Sequence, residues 1–224
     1  MITASKVKER IQTLIDIANE KTKKNDVDLT SAVNSLIEGG GSGGGSNTKP
    51  VYELAKPMTF NGTSDFIDTG VSLFDKDKDF SILIEFENPT EESIETLLHC
   101  MLESEPWTGV TIKAEDGFLF TMVGETLEKI LIRYNGVTRL AISKSGGYCS
   151  VGVKTENSAY PSLVLNTTFN HAGSIPNTLL IGAYQDNDGV KGRFYSGVIN
   201  KCKVFVDNLP SEKETTAFLM GYIV

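Results

Sequence analysis

The stretch Leu179 to Val206, LLIGAYQDNDGVKGRFYSGVINKCKVFV, limits what this chain can fold into. An apolar run from Leu179 to Tyr184 gives way to the polar loop Gln185–Lys191, and a long strand pattern then runs from Arg193 to Val206. Along it, apolar residues recur at Phe194, Val198, Ile199, Cys202, Val204 and Val206. Successive side chains of a strand point to opposite faces, so Ile199 and Cys202, three residues apart, cannot share one face of an unbroken pleat. A β-bulge near Asn200 or Lys201 would restore the register.

The same β character extends back to Pro50. Phe80, Ile82, Ile84 and Phe86 alternate with Ser81, Leu83, Glu85 and Glu87, which predicts a half-buried strand. Asp116-Gly117 divides Val110–Ala114 from Phe118–Val123, and Asn135-Gly136 divides Ile130–Tyr134 from Val137–Ser143. Both dipeptides favour the positive φ of tight hairpins, so each is expected to join an antiparallel pair. Gly146-Gly147 predicts a third reversal before Tyr148–Lys154, and Leu163–Leu165 a further short strand. About a dozen strands at this spacing predict a mainly β fold, an antiparallel sandwich. After Val206, Pro210-Ser211-Glu212 opens a final helix capped by Ser211, with Ala217, Phe218 and Tyr222 expected to return to the sheet.

Residues 39–47, GGGSGGGSN, are a flexible linker with a mean span of about 15–18 Å. It separates a 1–38 segment from a 48–224 β domain. In the first segment Val7, Ile11, Leu14, Ile15 and Ala18 form an amphipathic stripe, predicting a helix over 5–23. Thr30 caps a second helix striped by Ala32, Val33, Leu36 and Ile37 and stopped by Gly39. Two helices this short cannot hold a core alone, so the segment is expected to self-associate or to pack on a larger assembly.

Charge is unevenly placed. The first 46 residues carry six Lys/Arg and six Asp/Glu, so the remaining 15 basic and 23 acidic residues hold the whole net charge of −8. An acidic β domain repels phosphates, which argues against nucleic acid as a partner. The start MITASKVKERIQ has no apolar signal region, and no run of about 18 apolar residues offers a membrane span. Cys100, Cys149 and Cys202 sit in strand patterns without metal-ligand spacing, as buried small apolar groups.

The order of these features resembles the laminin-G-like, concanavalin A-like lectin jelly rolls. The resemblance is carried by G-x-F-x-x-G-x-I-N-x-x-x-V at 192–204, by FNGTSDFIDTG at 60–70 and by DFSILIEFEN at 79–88. It implies a concanavalin-like jelly-roll sandwich over about residues 50–224. The segment KKNDVDLTSAVNSLIEG at 23–39 resembles the N-terminal anchors of phage tail and virion structural proteins, such as tail or head fibres. That second resemblance implies a place in a virion, with other virion proteins as partners of residues 1–38.

Catalytic patterns are weak. The two histidines, His99 and His171, lie in a strand-like run and a turn-rich stretch, and no G-x-S-x-G elbow is present. Glu85 and Glu87 lack the third acid of the E-x-D-x-x-E pattern found in some glycosidases of concanavalin-like fold. The chain is therefore expected not to be an enzyme. Asp75, Asp77 and Asp79 alternate like the start of a calcium loop, but Phe80 and Phe86 occupy the positions that need glycine and glutamate. Asp186 and Asp188, with Asn187 and Gly189, are a better calcium candidate, although N-D-G is also ordinary turn chemistry. Sugar binding needs an aromatic to stack on a pyranose and polar groups to take its hydroxyls. The loop residues of that type are Trp107, Tyr184, Asp186, Asn187, Asp188, Arg193 and Tyr195. The expectation is a homo-oligomeric virion protein whose β domain binds a glycan of the bacterial surface. The alternative is a capsid or tail decoration protein that acts only through protein contacts.

Overall fold

The computed structural model describes residues 48–73, 78–87, 94–102, 108–115, 118–123, 132–133, 136–168 and 177–222. The expected helices within 1–38, the linker, Asp75, Asp77, Trp107 and His171 lie outside them.

In chain order the strands are β1 (Tyr52–Glu53), β2 (Met58–Asn61), β3 (Ile67–Asp68), β4 (Phe80–Glu87), β5 (Glu95–Leu102), β6 (Thr108–Glu115), β7 (Phe118–Val123) and β8 (Ile132–Arg133). They continue as β9 (Val137–Ser145), β10 (Tyr148–Thr155), β11 (Ser162–Thr168), β12 (Leu180–Ile181), β13 (Tyr184–Gln185), β14 (Lys191–Gly192) and β15 (Ser196–Val206). Among the described residues one helix, α1 (Glu212–Met220), follows. The first sheet runs β1-β15-β4-β9-β10-β11, with β2 also paired to β15; the second runs β3-β12-β5-β6-β7-β8; β13 and β14 form a separate hairpin.

The bulge expected near Asn200 is present. Ile199 pairs with Phe86 and Lys201 with Glu85, so Asn200 is the extra residue, and Ile199 and Cys202 both reach the core. Asn200 Nδ2 donates to Glu87 Oε1 at 2.6 Å, which gives the bulged side chain a partner. A second register shift, between Thr96 and Leu98 of β5, lets the adjacent Leu97 and Leu98 both enter the core.

The main core lies between the two sheets. Phe80, Ile82, Ile84 and Phe86 of β4 meet Leu98 and Cys100 of β5 and Val110 and Ile112 of β6 in one buried cluster. The other face of β4 is not open to solvent as expected, because Leu83 joins Ala141, Phe205, Phe218 and Leu219 under α1. Ser211 caps that helix in a full capping box with Glu214, and Gly221 ends it in the left-handed conformation. Phe218 and Leu219 make the contact; Tyr222, expected to do so, is 61% exposed.

The Gly146-Gly147 hairpin joins β9 to β10 as expected, and β6 and β7 pair across residues 116–117. Asn135-Gly136 does not join a hairpin: β8 pairs with β7 in the second sheet, whereas β9 lies between β4 and β10 in the first. The connection is a crossover, and Gly136 keeps the positive φ, 61°, that the dipeptide announced. Cys100, Cys149 and Cys202 are free and buried, and burial pushes each thiol up to about 12.

The run Leu179–Tyr184 is cut by Gly182, whose φ of 83° and close approach to Phe60 exclude a side chain; a Cβ there would stand 2.5 Å from a Phe60 ring carbon. Gly182→Ala is therefore expected to lose about 2 kcal/mol of stability, from the left-handed backbone and the displaced ring. A lowered urea midpoint at unchanged slope would show it. An unchanged midpoint would mean that the ring yields freely.

Candidate functional site

Helix α1 occupies part of the outer face of the first sheet, whereas the outer face of the second carries His99 of β5 paired with Thr111 of β6, and beyond Thr111 the cation of Lys113. At Gly182 the chain leaves β12 and forms the β13–β14 hairpin, anchored below by Gly182 N–H donating to the Leu97 carbonyl at 3.0 Å. Asp186 closes its turn. Its Oδ1 accepts from Asp188 N–H at 3.0 Å and Val190 N–H at 2.8 Å, while its backbone carbonyl accepts from Gly189 N–H at 3.1 Å. Turn chemistry thus accounts for Asp186, and Asn187 and Asp188 are exposed at the tip. Among the described residues no group of three or more His, Cys, Asp or Glu side chains is gathered to hold a metal.

Tyr184 sits at the centre of the site. The register of β12 against β5 sets Leu180 opposite His99, and Tyr184, four residues on, packs its ring on the imidazole with centroids 4.8 Å apart at 56°. His99 Nε2 donates to the Gln185 carbonyl at 2.9 Å, since that oxygen can only accept, and so ties β5 to the hairpin. Burial, reinforced by Lys113 and Arg193, holds the imidazole down to about 4, against a favourable contribution from Gln185; His99 is neutral at pH 7. The Lys113 Nζ lies 5.4 Å and the Arg193 Cζ 5.0 Å from the Tyr184 ring centroid. Lys191 contacts a different ring, its Nζ lying 4.8 Å from the centroid of the exposed Phe66.

Arg193 reaches this position through an unusual backbone. Its φ is 49°, left-handed for a residue with a long side chain, while its carbonyl accepts from Thr96 N–H at 2.8 Å. Two residues later Tyr195 turns inward. It is wholly buried, stands edge-on to Phe60 at 5.8 Å and Phe86 at 6.4 Å, and its hydroxyl donates to the Glu87 carbonyl at 2.9 Å. Its ring therefore belongs to the core and offers no surface to a ligand.

Of the expected sugar-binding residues, the fold brings Tyr184 and Arg193 into contact and places Asp186, Asn187 and Asp188 at the neighbouring hairpin tip, while Trp107 lies outside the described residues. Sequence reasoning missed His99 and Lys113 as neighbours, because only the strand register brings them to Tyr184. The carboxylates weighed for catalysis are engaged elsewhere: Glu85 Oε2 accepts from Arg139 Nε at 2.5 Å, and Glu87 accepts from Asn200. Asp79 accepts from Ser145 Oγ at 3.0 Å and Gly146 N–H at 3.1 Å, clasping the β9–β10 turn.

The β domain resembles carbohydrate-binding modules in fold. The CBM40 domain of the Ruminococcus gnavus IT-sialidase, solved with α2,3-sialyllactose, superposes at a TM-score of 0.55 with 12% identity over 75% of this chain and 97% of its own. The same domain with α2,6-sialyllactose gives 0.54, 12%, 76% and 99%. An arabinofuranosidase complexed with arabinofuranosyl-α-1,2-xylobiose gives 0.52 at 12% identity over 75% of this chain, which spans 42% of that enzyme. Neither a family model nor a curated protein matches the sequence. At these identities the likeness is one of fold: an antiparallel jelly-roll sandwich closed by a short C-terminal helix.

Proposed function

We propose that the β domain binds carbohydrate without cleaving it, through the outer face of the second sheet around Tyr184 and Arg193. The observation that carries this reading is the meeting of a half-buried aromatic and two cations beside a polar hairpin, on a fold whose similar structures include a module solved with an oligosaccharide. A non-catalytic role is supported by the engagement of Glu85 with Arg139 and of Glu87 with Asn200.

The wider role follows from the N-terminal segment. Its likeness to virion anchors and the Gly/Ser linker behind it support a structural protein of a phage particle, part of a tail or head fibre, that attaches the particle to a bacterial surface glycan. Residues 1–38 would contact other virion proteins and further copies of the chain. Single sugar sites are weak, and many tethered copies raise the effective concentration enough to hold a cell.

A second reading, decoration of the particle through protein contacts alone, draws on β11. It is the terminal strand of the first sheet, with Leu163 66% and the nearby Tyr160 76% exposed. The test uses the full chain displayed on a multivalent carrier, with purified cell-wall polysaccharide and intact bacteria. Saturable binding to both, weakened at least about tenfold by Tyr184→Ala, is expected. Binding unaffected by Tyr184→Ala but lost in Leu163→Asp would favour the decoration surface.

A further inference from the structure

Tyr184 was expected to serve as a stacking platform, but its surroundings do not suit that role. The ring has His99 packed on it at 4.8 Å, Arg193 Cζ at 5.0 Å and Lys113 Nζ at 5.4 Å. A pyranose that stacked on it would have to displace a cation. What this arrangement presents to solvent is Arg193, an exposed residue whose guanidinium is held over the aromatic with Lys113 on the same ring. A guanidinium fixed over an aromatic ring keeps its fork of N–H donors in one plane, suited to two oxygens of one anionic group.

Two further observations point the same way. The β domain holds 15 basic and 23 acidic residues, yet Lys113 and Arg193 both reach the Tyr184 ring, and Lys191, two residues before Arg193, lies over Phe66 within electrostatic reach of Asp68. Among the described residues no carboxylate forms an ion pair with Arg193, whereas Arg139 pairs with Glu85, Lys144 with Asp79 and Lys203 with Glu53. Arg193 also holds a backbone conformation that glycine would adopt more readily, and the chain keeps a long cationic side chain there.

We infer that this site recognises an anionic group on its glycan, a carboxylate or a phosphodiester, with Arg193 as the residue that pairs with it and Tyr184 and His99 as the support that holds the guanidinium. The inference rests on the proposed carbohydrate-binding function and names the chemistry of its ligand. Lys113 and Lys191 add long-range attraction, so binding weakens as ionic strength rises.

The experiment measures binding of the full chain by calorimetry to four probes: trigalacturonate, its carboxyl-reduced neutral counterpart, poly(glycerol phosphate) teichoic acid and dextran. Carboxyl reduction removes the charge and keeps the sugar rings, dextran is the neutral partner of the teichoic acid, and the two anionic probes distinguish a carboxylate from a phosphodiester. Binding to either anionic probe at least about tenfold tighter than to its neutral partner is expected. Arg193→Gly should reduce that binding by about tenfold to a hundredfold while raising the melting temperature by about 2–4 °C through relief of the left-handed backbone. Arg193→Lys, which keeps the charge but not the fork, should bind more weakly than the parent chain. Lys203→Ala, the same loss of charge on the other sheet, should change binding less than about twofold. Equal affinity for charged and neutral probes, or binding that survives Arg193→Gly, would overturn the inference and leave carbohydrate binding standing. Binding of none of the four probes, with polysaccharide and cells also unbound, would overturn both.

Discussion

Tyr195→Ala is expected to lower the stability of the β domain by about 4 kcal/mol, a drop in melting temperature of roughly 8–16 °C. Among the described residues Tyr195 is the largest fully buried side chain, and its ring fills the space between Phe60 and Phe86. Truncation leaves a cavity lined by rigid aromatics that cannot collapse into it, and strips the Glu87 carbonyl of its donor. Tyr195→Phe keeps the ring and loses only that hydrogen bond, so about 1 kcal/mol is expected. Urea unfolding followed by tryptophan fluorescence and by circular dichroism measures both. A Tyr195→Ala chain as stable as the parent but defective in glycan binding would return Tyr195 to the ligand surface.

The second large effect is a loss of stability in mild acid that depends on His99. Its imidazole titrates at about 4 in the folded protein against an ordinary value of 6.5. Between those two values the unfolded chain binds the proton and the folded chain does not, so folding weakens as pH falls from 6.5 towards 4. At about 1.4 kcal/mol for each pH unit the full effect is roughly 3 kcal/mol. The physical origin is local. Burial under Tyr184 disfavours the charge first, and Lys113 and Arg193 disfavour it further. Carboxylates titrate in the lower part of the same window, so the informative quantity is the difference between the parent chain and His99→Gln, which keeps a donor for the Gln185 carbonyl. Melting temperatures of the two are expected to diverge between about pH 7 and pH 4.5, with the parent losing more. Parallel profiles would mean that His99 is open to protonation in the folded state.

How much of this could be read in the sequence differs from one element to the next. The β15 bulge was legible because it follows from parity alone: two core residues three apart in a strand require one extra residue between them. The Ser211 cap and the Gly146-Gly147 turn were legible because their chemistry is local. At Asn135-Gly136 local chemistry reaches its limit. A positive-φ dipeptide says that the chain turns, but which strand takes up the next pairing is settled by the core, and β9 belongs with β4. For Tyr195 a sign of burial is present in the sequence, although its closeness to a polar loop points the other way. Counting back by twos from the inward Ile199 passes through Gly197 to Tyr195, on the core side. Arg193 was within reach of Tyr184 in the sequence, but the partners of Tyr184 on the second sheet were not, since Lys113 is 71 residues away in the chain and only the register of that sheet brings it near.

The measurement that tests the site most directly is amide chemical-shift mapping of the isotope-labelled full chain during titration with trigalacturonate and with teichoic acid fragments. Shifts confined to residues 184–193, together with His99, Thr111 and Lys113 on β5 and β6, are expected. Saturating shifts centred instead on α1 or on β11, with the hairpin unmoved, would contradict the placement of the glycan site on the second sheet.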